Sequence, residues 1–258
     1  MKLYLTSRLL SAAGIPHGFS VRAGGVSAGP FASLNVGSSV GDDEARVREN
    51  HDRLLQAAGL RGEVATVHQV HGDRIVDERL REIFPATAAA GTTEAGADAL
   101  LALGEGAVGV RVADCVPVLI AADGAAAAVH SGWRGTRLQI AARAVRALQH
   151  ATGADPKGML AAVGPCIGRC CYEVSPELAA AFRAVFGPEA ADDPAGARKP
   201  HLDLRYCVQR SLAQAGIPDE RIEQVEGCTS CDSGAFFSHR RDKGRTGRHL
   251  AFIQPRDS

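Results

Sequence analysis

The chain has 258 residues, of which 29 are basic and 29 acidic, so its formal net charge at pH 7 is zero. This balance gives no global electrostatic reason to expect a nucleic acid or an anionic membrane as a partner, and any anion must be bound locally. No run approaches the roughly 18 to 20 apolar residues of a membrane span, and residues 1–4 do not open a signal peptide, so we expect a cytoplasmic protein.

Short apolar runs between turn residues predict strands, and longer segments with apolar residues at helical spacing predict helices. In chain order, they are strands at 17–21, 64–70, 75–76, 108–112, 116–121, 125–130, 161–163, 222–225 and 250–253, and helices at 44–58, 138–150, 176–186 and 204–215. The intervening stretches 85–96 and 187–200 predict a surface excursion and a mobile loop. Helices and strands mix without a steady βαβα order, which favours an α+β layered domain with mixed sheets over a Rossmann fold.

The strongest local signal is a β-hairpin whose two apolar runs flank the dipeptide Asp123-Gly124. A turn at 122–123 places Cys115 opposite His130, whereas a turn at 123–124 displaces Cys115 by two residues from that pairing. In both registers the thiol and the imidazole share one face at the open end of the hairpin. The pair is suited either to a metal site or to a Cys/His catalytic dyad.

His71 is the best candidate for a third ligand, because it lies where a predicted strand passes into a turn. His68 competes with it, but on an extended strand it would face the opposite side. His71, Cys115 and His130 provide three protein ligands and leave one position open, as in a catalytic zinc site. Such a zinc would lower the pKa of a bound water or act as a Lewis acid. Copper could occupy the same ligands because it binds them more tightly than zinc does.

Two basic segments are candidates for anion binding. Glycines on both sides of Trp133-Arg134 predict a tight turn, and the Arg134 guanidinium suits a phosphate or carboxylate. Residues 238–249 form the densest positive stretch, and the glycines within it are compatible with a phosphate-binding loop. A solvated surface loop is the alternative for this stretch.

The seven cysteines are odd in number, and their clustering is not that of a secreted disulfide framework. Cys228 and Cys231 form a C-x2-C motif, which is half of a zinc-binding pattern. Cys166, Cys170 and Cys171 are possible partners for a second, structural zinc. Half a motif is weak evidence, so reduced thiols in the core are the favoured interpretation.

Motifs spread over nearly the whole chain occur in the order that one known family shows. They are Arg22-Ala-Gly-Gly-Val-Ser, Ser33-Leu-Asn, Gln69-Val-His-Gly, Ala97-Asp-Ala, Val112-Ala-Asp-Cys-Val-Pro, Val129-His-Ser-Gly-Trp-Arg-Gly, Gly164-Pro-Cys-Ile, Tyr172-Glu-Val, and Phe236-Phe-Ser through Gly247-Arg248. Together they resemble the YfiH-like, laccase-domain (multicopper polyphenol oxidase) family.

The resemblance implies a single catalytic domain over residues 1–258, with four layers in the order α/β/β/α, similar to the catalytic domain of cytotoxic necrotizing factor toxins. It implies a metal held by the residues matching His71, Cys115 and His130. It also implies phosphorolysis of adenosine, inosine and methylthioadenosine to base and ribose 1-phosphate, together with deamination of adenosine to inosine. The expected partners are therefore a purine nucleoside and phosphate. Some bacterial members are instead linked to the removal of misincorporated serine from peptidoglycan precursors.

Charge type and motif position suggest roles for further residues. We expect the arginines to contact phosphate or ribose and the aspartate to orient a ligand or transfer a proton; the residues are Arg22, Arg134, Arg240, Arg241 and Asp114. Four-copper oxidation is discounted, because the chain has nine histidines and no His-x-His pair. The remaining alternatives are a single-copper phenol oxidase, a non-enzymatic nucleotide-binding module, and a hydrolase in which the Cys115 thiol attacks an amide of a cell-wall precursor.

Overall fold

The structure is a computed structural model that describes residues 2–60, 62–87 and 96–256. Most of the excursion predicted at 85–96 therefore lies outside the described residues. The strands are β1 (Tyr4–Leu5), β2 (His17–Ser20), β3 (Val64–Ala65), β4 (Ile75–Asp77), β5 (Glu82–Phe84), β6 (Ala99–Ala102), β7 (Ala107–Val112), β8 (Val116–Ala122), β9 (Ala125–Ser131), β10 (Leu160–Val163), β11 (Ala191–Asp192), β12 (His201–Leu202), β13 (Ile222–Gln224) and β14 (His249–Ile253). The helices are α1 (Arg8–Ala12), α2 (Glu44–Ala58), α3 (Trp133–Arg137), α4 (Ile140–Thr152), α5 (Pro176–Phe186) and α6 (Leu204–Gln214).

Two mixed sheets pack face to face between helices. The smaller sheet has the order β1-β2-β14-β7-β3, and the larger has the order β13-β10-β8-β9-β6-β4-β5. One apolar cluster lies between the two sheets, a second lies between the larger sheet and α4 to α6, and a third lies between the smaller sheet and α2. The α+β class and the α/β/β/α order of layers are thus confirmed. Within the described residues, no helix has the length and apolar character needed to cross a bilayer.

The β8–β9 hairpin forms the middle of the larger sheet and is buried on both faces. Val118 and Ile120 pack against the helices, whereas Leu119 and Ala121 pack against the smaller sheet. The turn is Asp123-Gly124, and Gly124 has the positive φ of 65° that this kind of turn favours. The structure therefore has the second of the two predicted registers.

Local sequence signals set the ends of α2. The Asp43 side chain accepts a hydrogen bond from the Arg46 N–H at its start, and Gly59 ends the helix. The predicted range 44–58 is confirmed.

The strand predicted over 64–70 was too long, because only β3 forms there. Beyond it, the side-chain amide of Gln69 replaces the backbone pairing. Its Nε2 donates to the Arg111 carbonyl at 2.8 Å, and its Oε1 accepts from the Arg111 N–H at 2.8 Å. The main chain is thereby free to turn at His71, whose φ is 58°.

Two further predictions were wrong in detail. The tight turn expected at Trp133-Arg134 is the short helix α3, and Gln139 with a φ of 56° separates it from α4. The loop expected over 187–200 contains a 3-10 turn and β11, which pairs with β12. Short pairings of this kind depend on distant residues and leave little periodicity in the sequence.

Candidate metal centre and pocket

His71, Cys115 and His130 come together although they lie on three separate segments. Their potential ligand atoms all lie within 4.8 Å of one another, and the two imidazole rings meet edge to face with centroids 4.8 Å apart. Cys115 immediately precedes β8, and His130 lies in β9 opposite Pro117. These are the three residues that the sequence proposed as metal ligands; His68 lines the same pocket but is not in the cluster.

Asp98, which belongs to the Ala97-Asp-Ala motif but was not among the predicted site residues, orients two of the three candidate ligands. Its buried carboxylate accepts hydrogen bonds from the backbone N–H groups of His71 at 3.0 Å and Gly72 at 2.7 Å. It also accepts from His130 Nδ1 at 2.7 Å, which leaves Nε2 as the nitrogen available to a metal. The sequence signal that could have identified Asp98 is a single carboxylate directly before the apolar residues of β6.

Charge is shared between the thiol and the imidazole. Burial opposes ionisation of Cys115, but His130 and His71 lower the pKa of its thiol to about 6. Burial also opposes protonation of His130, yet the Cys115 thiolate and the Asp98 carboxylate raise the pKa of its imidazole. The site therefore stabilises a thiolate, which is the form of cysteine that binds a metal.

The residues present fit a divalent cation. Two imidazoles, one thiolate and a carboxylate hydrogen-bonded to an imidazole form a typical donor set for zinc. Gly132 provides the space: a Cβ at this position would lie 3.0 Å from His71 Cδ2 and 3.1 Å from Cys115 Sγ. Any larger residue would press on two of the three ligands.

The cluster lies in the wall of a pocket of about 770 Å³, a volume suited to a small organic substrate. Arg111, Arg240 and Arg248 line the pocket, together with the rings of Trp133 and Tyr172. Each arginine is anchored by a guanidinium nitrogen on a backbone carbonyl, at distances of 2.9 to 3.2 Å. A guanidinium has five N–H donors, so each anchored group can still bind an anion.

Asp114 holds one wall of this pocket in place. One carboxylate oxygen accepts from the Thr229 hydroxyl at 2.5 Å, and the other accepts from the Arg240 backbone N–H at 2.6 Å. Its φ of 89° turns the chain immediately before Cys115. Asp114 thus connects the candidate metal ligand to the segment that carries Arg240.

Of the arginines proposed from the sequence, only Arg240 lines the pocket. Arg134 is exposed and lies over the Trp133 ring at 4.7 Å. Arg22 donates to a loop carbonyl at 2.7 Å, and Arg241 donates to carbonyls and pairs with Asp242 at 2.8 Å.

The sequence did not single out the other two pocket arginines, although one of them lies in the predicted anion-binding stretch 238–249. Arg111 is a lone charge within the apolar strand β7, and Arg248 lies just before β14 at the end of the basic stretch. Both positions were visible in the sequence, but the pairing of these two strands was not.

The structure thus places a candidate His2Cys metal site beside three arginines in an α+β domain of two packed mixed sheets. The chain belongs to the family described as multi-copper polyphenol oxidoreductase laccase, whose family model matches residues 16–256. This is the family that the sequence motifs resemble.

The curated relatives match over most of their length. Purine nucleoside phosphorylase YlmD of Geobacillus stearothermophilus is 37% identical over 254 residues, covering 95% of this chain and 92% of the relative. Purine nucleoside phosphorylase YfiH of Escherichia coli is 35% identical over 237 residues, covering 91% of each. The relatives are thus named as enzymes.

Solved structures agree over the same extent. The crystal structure of YlmD from Geobacillus stearothermophilus superposes with a TM-score of 0.83 over 100% of both chains at 33% identity. The crystal structure of the Bacillus licheniformis hypothetical protein YfiH gives a TM-score of 0.81, covering 95% of this chain and 94% of its own, at 31% identity. The fold of this chain is therefore that of the YlmD and YfiH proteins.

Proposed function

We propose that this chain is a zinc-dependent purine nucleoside phosphorylase with adenosine deaminase activity, formed by one catalytic domain over residues 1–258. The observation that carries the proposal is that the His71, Cys115 and His130 cluster shares a pocket with three arginines. Phosphorolysis needs a site for phosphate next to a site for the nucleoside. This pocket has arginines that suit phosphate and aromatic side chains that suit a nucleoside. The names of the curated relatives support the same activity.

The arginines are the groups suited to phosphate. Arg111 lies in β7, Arg248 directly precedes the paired strand β14, and Arg240 comes from the loop held by Asp114. None of these three guanidinium groups forms an ion pair with a carboxylate among the residues that the structure describes. Their charge is therefore available to position phosphate and to stabilise the negative charge that it carries.

The aromatic side chains suit the nucleoside. Trp133 and Tyr172 line the same pocket, and we propose that a purine packs against the ring faces that the guanidinium groups of Arg134 and Arg240 leave uncovered. In phosphorolysis a phosphate oxygen forms a bond to C1′ of the ribose while the bond from C1′ to the base nitrogen breaks. Adenosine, inosine and methylthioadenosine all contain this bond, and we propose all three as substrates.

His71, Cys115 and His130 would hold the zinc, which supplies Lewis-acid polarisation when bound. Asp98 fixes the tautomer of His130 and the backbone of His71, and so holds these two side chains in the orientation that binding requires. Asp114 also lines the pocket, and we propose that it positions its neighbours, because its two carboxylate oxygens accept hydrogen bonds from Thr229 and from the Arg240 backbone. The seven cysteines are free thiols, which suits a reducing compartment, and we propose the cytoplasm as the location.

The test is an assay of the zinc-loaded protein with adenosine, inosine and methylthioadenosine, in the presence and absence of phosphate. We expect phosphate-dependent release of base with an equal amount of ribose 1-phosphate, or of 5-methylthioribose 1-phosphate from methylthioadenosine, and formation of inosine from adenosine without phosphate. His71→Ala and Cys115→Ala should lose both activities, whereas Cys207→Ala, which removes a buried thiol of α6, should retain them. A zinc-loaded wild-type protein that forms neither product would refute the proposal.

A second candidate function has a specific observation in its favour. The lowered pKa of Cys115 and its contact with His130 would also suit a thiolate nucleophile that hydrolyses an amide, such as that of a peptidoglycan precursor. A single-copper phenol oxidase would use the same ligands. Hydrolysis that persists after chelation would favour the nucleophile, and phenol oxidation only with copper would favour the oxidase.

A further inference from the structure

Four cysteines that the proposed function does not use form a second cluster. Cys170, Cys171, Cys228 and Cys231 have sulfur atoms that all lie within 4.8 Å of one another. We propose that these four side chains bind a Zn²⁺ ion as a closed, structural site. The sequence showed only the C-x2-C pair as a defined motif, and the structure places Cys170 and Cys171 beside that pair. Cys166, the remaining candidate partner, lies outside the cluster and is fully buried.

The sulfur separations match those of a tetrahedral zinc site. A Zn–S distance of about 2.3 Å requires sulfur atoms about 3.8 Å apart around a tetrahedron. The separations are 3.7 Å between Cys170 and Cys228, 3.5 Å between Cys170 and Cys231, and 3.3 Å between Cys171 and Cys231. A disulfide would need about 2.05 Å. A set of four soft thiolates in this arrangement selects zinc over calcium or magnesium.

Two backbone segments present the four sulfurs. Cys170 and Cys171 lie in the 3-10 turn Arg169–Cys171, whose tight winding still lets both adjacent sulfurs reach Cys231. Cys228 and Cys231 are the C-x2-C pair, and the Asp232 N–H donates to the Cys228 carbonyl at 3.1 Å to close their turn. The site would therefore join two segments that are distant in sequence.

The close approach of the Gly168 backbone to the sulfurs is a second observation that favours a metal site. Its N–H lies 3.2 Å from Cys228 Sγ, as a donor that stabilises a thiolate. A Cβ at Gly168 would lie 3.2 Å from Cys170 Sγ and 3.3 Å from Cys228 Sγ. The glycine thus permits a close backbone approach to the cluster.

The proposed site lies next to the pocket along the chain. Cys171 precedes Tyr172, which lines the pocket, and Cys228 precedes Thr229, which donates to Asp114. The zinc would hold these two segments together and so fix one pocket wall. It would have no open coordination position and so no direct part in a reaction.

The test is the zinc content of the purified protein, measured together with a cobalt-substituted sample. We expect two zinc ions per wild-type chain, and one each in Cys231→Ser and His71→Ala. Cys207→Ala is the matched control, because it removes a thiol outside the cluster and should keep two. Cobalt in His71→Ala should give the intense sulfur-to-metal absorption of a tetrathiolate, and Cys231→Ser should lose that absorption.

Three results would overturn the proposal. The first is a wild-type chain with a single zinc that His71→Ala removes, together with four thiols that react freely. The second is a mass decrease that reports disulfides among the four cysteines, and the third is iron in place of zinc. Because the tetrathiolate absorption is measured in His71→Ala, an unstable Cys231→Ser protein leaves the test intact. Loss of phosphorylase activity alone bears on the proposed function and not on this site.

Discussion

The two cysteine-containing clusters differ in the number and origin of their donors. The pocket cluster has three donors from three segments, oriented by the Asp98 carboxylate, and it faces a pocket of about 770 Å³. The second cluster has four sulfurs from two segments, and two of its cysteines, Cys170 and Cys231, are exposed on the surface. Three ligands leave a position for a reactant, whereas four close the coordination shell. The comparison predicts chemistry at the first cluster and stability at the second.

The largest expected effect separates these two roles. His71→Ala should lower kcat/KM for phosphorolysis by about a thousandfold, because Lewis-acid stabilisation contributes several kcal/mol and each 1.36 kcal/mol is tenfold in rate. Its thermal unfolding midpoint should change less than that of Cys231→Ser, which should keep most of its activity at low temperature. Kinetics and calorimetry on both variants check the contrast. Equal loss of activity in the two variants would show that the roles are not separate.

A substitution of Asp98, which hydrogen-bonds a candidate ligand, tests what orients the ligands of the pocket site. Asp98→Asn should weaken zinc binding at this site by about tenfold to a hundredfold, because the carboxylate that orients His130 is lost. The tetrathiolate site serves as an internal reference, since Asp98 does not belong to it. Competition with a chromophoric chelator measures the two affinities in one sample. Parallel weakening at both sites would point to general destabilisation instead.

Substitutions of two arginines test whether the pocket binds phosphate. Arg248→Ala should raise KM for phosphate by about tenfold to a hundredfold, since a hydrogen bond to a charged group contributes about 1.5 to 3 kcal/mol. Arg134→Ala is the matched control, because that guanidinium is exposed and lies over Trp133. Both variants should retain their zinc. A larger effect from Arg134 would favour the anion clamp proposed from the sequence.

The smallest expected effect concerns the link between the clusters. Thr229→Val removes the hydroxyl that donates to Asp114 at 2.5 Å and keeps the side-chain shape. A buried hydrogen bond of this kind contributes about 1 kcal/mol, so kcat/KM should fall about fivefold. Zinc content should stay the same in this variant. Unchanged kinetics would show that the two clusters act independently.

Sequence signals predicted the local features of this protein well. The Asp43 cap and Gly59 bound α2 at the predicted residues, and Asp123-Gly124 formed one of the two predicted turns. The spacing of Cys115 and His130 around that turn was enough to bring them into one cluster. Each of these features depends on residues close together in the chain.

Features that depend on distant pairing could not be predicted in the same way. Arg111 and Arg248 line one pocket because β7 pairs antiparallel with β14, which Arg248 directly precedes, and no local pattern specifies this pairing. The cysteine pairs meet because β10 and β13 run parallel in one sheet, and the segments after these strands carry the pairs. The role of Asp98 could not be predicted, because the sequence does not show that the next strand, β6, pairs with β9, which carries His130.

The Asp123-Gly124 turn has a consequence for how this protein can change. β8 and β9 each have seven residues, so the turn lies about 20 Å from the candidate ligands at the rise of a strand. A slip of one residue in the pairing of β8 with β9 would move His130 to the opposite face of the sheet, away from Cys115 and His71. By fixing this register, the turn sets the position of an imidazole that lies far from it.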